Sequence, residues 1–262
     1  MDSLMPGTIH LHRIGAHVAL LQIDNPPANS LGDAMRASFV SQLDALESDL
    51  SVRALVLTGT GRAFCSGDDL KEQKAASTAP ESVRNARLAD FANMLSRVES
   101  FRVPVISAIN GFCVGGGLEL AVCCDIRVAS SEARFTCAGV NVGLIASAYR
   151  LPRLLGVARA KHMLLTGSPF DAQTAERFGL VTAIYDPQKL ENEAISLAER
   201  IASRAPLSVE ATKRAASSAI DFTPEEIAKS FSDQLTTLAK TADHREALAA
   251  FHEKREPKFE RK

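Results

Sequence analysis

Asn110-Gly111-Phe112-Cys113-Val114-Gly115-Gly116-Gly117-Leu118-Glu119-Leu120 follows directly on the apolar run Val105–Ile109. A second stretch of the same character, Arg62-Ala63-Phe64-Cys65-Ser66-Gly67-Asp68-Asp69-Leu70, comes after the apolar run Ala54–Thr58. Each reads as a buried strand, a loop of small residues and the start of a helix. Glycine lets main chain approach a ligand closely, and the first turn of a helix leaves N–H groups without intrahelical partners. The positive end of the helix dipole favours negative charge at the same point. Two such loops at adjacent strand ends are able to aim two N–H groups at one oxygen, an oxyanion hole made of backbone. The same glycines also suit close helix–strand packing and nothing more. Neither stretch is a nucleotide motif, because Gly-x-Gly-x-x-Gly spacing is absent and no Gly-Lys-Ser/Thr follows.

Outward from these loops, the first half alternates strands with helices. Thr8–Arg13 and His17–Asp24 read as strands around a turn at Gly15. Residues 33–50 predict a helix, with Met35, Phe39, Leu43, Leu46 and Leu50 at helical spacing, and residues 81–101 a second, striped by Leu88, Phe91, Leu95 and Val98. Ile126–Ala129 and Ala133–Thr136 read as further short strands, so a sheet with packed helices is expected. From about Leu151 helices dominate: 158–166, 172–178, 190–203, 209–219, 224–240 and 244–255, interrupted by a strand at 181–185. Asp171 and Thr223 stand at N-cap positions, with Pro224 at a first helical position. No internal repeat or low-complexity tract is evident.

The 262 residues suffice for one large core. Hydrophobic residues make up 46% and charged residues 23%, a globular mix. A formal net charge of −1 gives no basic field for nucleic acid or an anionic membrane, so an anionic ligand must be met locally. No apolar run is long enough for a membrane span, and Met1–His12 lacks the features of a secretory signal. The five cysteines, Cys65, Cys113, Cys123, Cys124 and Cys137, form no Cys-x-x-Cys pair; buried thiols in a reducing cytoplasm are expected, with no metal site.

The two glycine-bearing segments, in this order and separation, resemble the crotonase (enoyl-CoA hydratase/isomerase) superfamily. So do Asn25-Pro26-Pro27-Ala28-Asn29-Ser30-Leu31, Thr166-Gly167, Gly179-Leu180-Val181 and Phe251-His252-Glu253-Lys254-Arg255. The resemblance implies an α/β fold, the crotonase (ClpP-like) β-β-α spiral with two roughly perpendicular sheets. An acyl-CoA-binding core over 1–200 and a helical trimerisation region over 201–262 are then expected, assembled as a homotrimer or dimer of trimers. It further implies a coenzyme A thioester as substrate, with no separate cofactor and no nucleic-acid or membrane partner.

Residue by residue, the resemblance assigns the two oxyanion N–H groups to Ser66 and Gly116. Glu119 matches the first family glutamate and is expected as acid/base, although a carboxylate in a first helical turn is also favoured by the dipole. The adenine-side main chain is implied at Ser66, Gly67, Asp68 and Leu70, and Ala28 is expected along coenzyme A; Asp69 reads as a helix cap. The second family glutamate is missing, since Gly139 stands in its place. A glutamate restored there is expected to raise hydratase turnover where Tyr149 and Arg150 leave room. These two residues replace small ones of relatives; each is open to a role in the acyl pocket, Tyr149 as part of its lining, or to an ordinary helical position. Lys71 and Lys74 are candidates for phosphate contacts, and Lys254, Lys258 and Phe259 for contact with a neighbour's coenzyme A. The six histidines match no catalytic position. With one carboxylate missing, the function stays open between hydratase or isomerase chemistry and an acyl-CoA-binding homologue that is non-catalytic or carries out a different reaction on the thioester.

Overall fold

The computed structural model describes residues 7–262, so the part of the N-terminal reading that concerns residues 1–6 lies outside the described residues. Six strands form the larger sheet, in the order β1 (Thr8–Ile14), β2 (Val18–Asp24), β3 (Ala54–Gly59), β5 (Val105–Ile109), β7 (Ile126–Ser130) and β10 (Ala183–Tyr185). The first pair is antiparallel and the rest are parallel. The smaller sheet runs β4 (Ala63–Cys65), β6 (Phe112–Val114), β8 (Arg134–Thr136) and β9 (Phe170–Asp171), with only β9 antiparallel.

The pairs β3–β4, β5–β6 and β7–β8 each place one strand in each sheet before the chain passes into helix. Three β-β-α turns are thereby stacked into the expected spiral. The helices are α1 (Asp33–Ser48), α2 (Leu70–Ala75), α3 (Glu81–Glu99), α4 (Gly116–Cys123), α5 (Arg150–Leu155), α6 (Val157–Thr166), α7 (Ala172–Phe178), α8 (Leu190–Ala202), α9 (Pro206–Ser218), α10 (Pro224–Leu238) and α11 (Ala242–Glu253).

Both faces of the larger sheet are covered, which is why its strands read as continuous apolar runs rather than alternating ones. One face packs with α1, α3 and α4 around Leu21, Leu57, Phe39, Met94 and Leu118. The other carries Val18, Leu20, Val56 and Ile106 against Leu190, Ala194, Ala198 and Ala202 of α8. The boundary expected at residue 200 therefore falls inside a helix that packs on the sheet. Beyond it, α9 is tied back by Lys213 to Asp125 (2.7 Å) and by Glu210 to Arg102 (2.9 Å).

The helix caps follow the side chains. Asp171 accepts from the Thr174 N–H, and Thr223 forms a reciprocal capping box with Glu226. All five cysteines are buried free thiols. Burial pushes Cys65, Cys124 and Cys137 up to about 12, and Cys113 and Cys123 also well above an ordinary thiol. Among the described residues no helix is long and apolar enough to cross a membrane.

Candidate active site

The strands that escaped the sequence reading, β4 and β6, bring the two loops together. They are three residues each and pair in parallel, Ala63 with Phe112 and Cys65 with Cys113, so both loops leave the same sheet edge side by side. Packing at the junction is backbone on backbone. Gly67 has φ +86°, and a Cβ there would lie 2.6 Å from the Gly116 nitrogen. At Gly117 a Cβ would lie 2.0 Å from the Cys65 carbonyl oxygen. Only glycine permits this approach.

One of the two expected donors is occupied in the structure. The Ser66 N–H is already committed, donating to the Ala28 carbonyl at 3.1 Å, because a bridge between Ser30 and Gly67 continues the strand pairing past β4. Two residues on, after the left-handed turn at Gly67, the Asp68 N–H has no partner among the described residues. Gly116 opens α4 as its first helical residue, and its N–H is likewise free. One of these unpaired donors is the Gly116 nitrogen at the Gly67–Gly116 contact, and the other belongs to the residue that follows Gly67. The signal in the sequence was Gly67 itself: a positive-φ glycine redirects the following peptide, which makes residue 68 the outward donor.

Glu119 lies one turn along α4 from Gly116. Its Oε1 accepts from the Ser147 N–H at 2.5 Å, with Ser147 buried and at φ +54°. Around them is a cavity of about 410 Å³, walled by Leu88, Phe91 and Leu95 of α3 and by Val142, Leu144 and Ile145 of the segment before α5. Ser66, Asp68, Leu70, Gly116, Glu119 and Tyr149 all reach this cavity. Gly67 does not line it but sits behind Gly116, and Ala28 contributes the carbonyl that holds Ser66. Leu88, read from its spacing as core, is 58% exposed at the cavity mouth, and Phe91 is half-buried against Gly116. The periodicity located the apolar face of α3 without separating core from pocket.

The loop over residues 66–70 is braced by charge. Asp69 caps α2, accepting from the Lys71 and Glu72 N–H groups, and also receives the Ser30 hydroxyl. Burial alone would raise its pKa; those hydrogen bonds outweigh it and bring the carboxyl below its ordinary value. The Asp68 side chain accepts from buried Arg36, which also bonds Leu31 and Asp33, while Arg87 reaches Asp33 and Glu72. Asn29 fastens the 25–31 segment to the carbonyls of Thr60 and Ala63 at 3.0 and 2.7 Å. The Asp69 cap was legible in the sequence; the bonds of Ser30 to Asp69, Arg36 to Asp68, Arg87 to Asp33 and Asn29 to Thr60 and Ala63 were not, because each joins residues more than 30 positions apart.

At the second glutamate position, a Cβ on Gly139 would lie 2.9 Å from the Leu144 carbonyl oxygen and 3.1 Å from the Ala146 nitrogen. The two bulky residues separate in role. Tyr149 is 58% exposed at the cavity, its phenol pKa raised by burial against the opposing effect of Arg150. Arg150 is 8% exposed, stacks on the Tyr149 ring at 4.4 Å and donates from Nε and Nη2 to Glu99 Oε2 at 3.2 and 2.8 Å. Lys71 and Lys74 are exposed on α2. The C-terminal segment folds onto its own chain: Arg53 donates to the Phe259 carbonyl at 2.7 Å, and Arg261 pairs with Glu210.

A stacked β-β-α spiral with two glycine loops meeting over a carboxylate-bearing helix defines the crotonase class of fold. The chain belongs to the enoyl-CoA hydratase/isomerase family, whose model matches residues 13–262. It is 39% identical to (E)-benzylidenesuccinyl-CoA hydratase of Thauera aromatica, covering 97% of this chain and 99% of that protein. It is 34% identical to 2,3-dehydroadipyl-CoA hydratase of Escherichia coli (strain K12), covering 92% and 94%. Among solved structures, an enoyl-CoA hydratase from Bacillus anthracis superposes with a TM-score of 0.93 at 33% identity, over 97% of this chain and all of that one.

Proposed function

We propose that this protein adds water across the 2,3-double bond of an enoyl-CoA, with the thioester carbonyl held by the Asp68 and Gly116 N–H groups and Glu119 as acid/base. The observation that carries the reading is the meeting of two unpaired backbone donors with a carboxylate one helical turn away, in an apolar cavity. Polarised by the two donors, the thioester draws electrons away from C3. Water attacks C3 while Glu119 takes its proton, and the π electrons move onto the thioester oxygen as an enolate. Collapse of the enolate takes a proton at C2 from the same carboxyl, so atoms and charge balance. One oxyanion donor is typically worth about 3 kcal/mol of barrier. The Ser147 N–H fixes the orientation of the Glu119 carboxylate.

Gly139 favours a second reading, an acyl-CoA binder without catalysis, because no carboxylate stands at that position to share the proton transfers. One experiment separates the two. Glu119→Gln keeps the shape and removes the base, so turnover of crotonyl-CoA should fall about 10²–10⁴-fold while affinity for butyryl-CoA changes little. Unchanged turnover removes Glu119 from the mechanism. Tight butyryl-CoA binding by native protein that turns over no enoyl-CoA establishes the second reading.

A further inference from the structure

Arg150 is a wall shared by two cavities: the one already described and a larger one, about 730 Å³, between α4, α5 and α9. The larger cavity carries cations out of proportion to carboxylates. Its lining holds Arg127, Arg150, Arg153, Arg204 and Lys213 against Glu99 and Asp125, with Arg153 paired to Asp221 and Lys213 to Asp125. Arg127 is buried and bonds two carbonyls, those of Leu180 and Cys124, with no carboxylate in ion-pair contact. Arg150 is more than nine-tenths buried, yet its Nη1 has no hydrogen-bond partner among the described residues, since Nε and Nη2 both go to one oxygen of Glu99. That arrangement leaves one edge of the guanidinium open.

The position of this edge relative to the chemistry follows from α4. Gly116, Glu119 and Cys123 occupy successive turns of one helix, and Cys123 lies within electrostatic range of Arg150, Glu99 and Glu119. One turn of helix is about 5–6 Å. Arg150 lines the same cavity as Gly116 and Glu119, so an acyl chain with its thioester oxygen at Gly116 and its C2 and C3 at Glu119 has Arg150 on the wall ahead of it. An acyl chain of a few carbons beyond C3 ends there. A methyl terminus would leave the cation poorly solvated, which costs free energy; a carboxylate would complete it with a charge-assisted hydrogen bond.

We infer that the acyl group of the substrate carries a carboxylate distal to the double bond, and that the free edge of Arg150 reads it. This rests on the reading of the first cavity as an acyl-CoA site. Glu99, whose side chain is half exposed, holds the guanidinium in place and tempers its charge when no such substrate is bound.

The test compares adipyl-CoA with hexanoyl-CoA, six-carbon thioesters that differ in a terminal carboxylate against a methyl group, by titration calorimetry on the full chain. Native protein should prefer adipyl-CoA by at least about tenfold, the scale of one hydrogen bond to a charged group. Arg150→Gln should bring the ratio to near one. Glu99→Gln, at a more exposed position and with Arg150 kept, should raise the ratio above the native value and serves if Arg150→Gln does not fold. Equal affinity for the two ligands in native protein, or a ratio that survives Arg150→Gln, or a ratio that falls in Glu99→Gln, overturns the inference. Because both ligands are saturated, the outcome is independent of turnover. Preference for adipyl-CoA without hydration of any enoyl-CoA refutes the catalytic reading and leaves this one standing.

Discussion

Replacing Gly139 by glutamate tests how the proposed active site copes without a second carboxylate. From sequence, the substitution restores a missing group and should accelerate hydration; the structure reverses that expectation. A Cβ at 139 meets the Leu144 carbonyl at 2.9 Å, the Ala146 nitrogen at 3.1 Å and the Ala146 Cβ at 3.2 Å. Two of these are backbone atoms of the segment that carries Ser147, whose N–H holds Glu119. The segment must move, and Glu119 then loses its orientation. Overpacking of this kind typically costs about 1–3 kcal/mol. For a chain of this size that corresponds to a drop in melting temperature of roughly 2–12 °C. Gly139→Ala shares the Cβ and should show most of the loss in stability, so the pair separates crowding from charge. Thermal unfolding and crotonyl-CoA hydration, measured on the same preparations, provide the assay. A Gly139→Glu protein that melts with the native one and hydrates faster would show that residues 144–146 yield at no cost, and would refute the argument.

Gly67→Ala forces a Cβ to within 2.6 Å of the Gly116 nitrogen at a positive φ, so turnover should fall by about 10²-fold or more through loss of the donor geometry; activity within a few-fold of native would show that the junction is not the oxyanion site. The buried thiols keep their protons in the fold well past an ordinary thiol, whereas unfolded chain releases them near pH 9, so stability should be full below that pH and decline from about 9 toward 12. Each such thiol contributes up to about 1.4 kcal/mol per pH unit in that window, and a urea midpoint identical at pH 8 and 10 would count against it. Phe222, Phe231, Leu235, Leu248 and Phe251 are more than half exposed around α10 and α11, so sedimentation at micromolar concentration should find a trimer or a dimer of trimers; a monomer alone would argue against assembly through this region.

Much of the architecture was written along the chain. Apolar runs covered on both faces located β3 and β5 closely, and helical stripes with Asp171, Thr223 and Pro224 located the C-terminal helices, because burial and capping are set by residues near one another in sequence. The glycine loops pointed to the site for the same local reason. What the sequence could not supply were relations between distant segments. The three-residue strands β4 and β6 exist because they pair with each other, not because of their own propensity. That pairing commits the Ser66 N–H to Ala28 and frees Asp68 instead. Leu88 faces a cavity rather than the core only because the segment 142–145 stands opposite it. Arg150 becomes a buried, half-satisfied cation only where α5 meets Glu99 at the end of α3. Periodicity and capping are properties of one segment and survive translation into sequence; which N–H is free, and which charge is left open, depend on what the fold brings alongside.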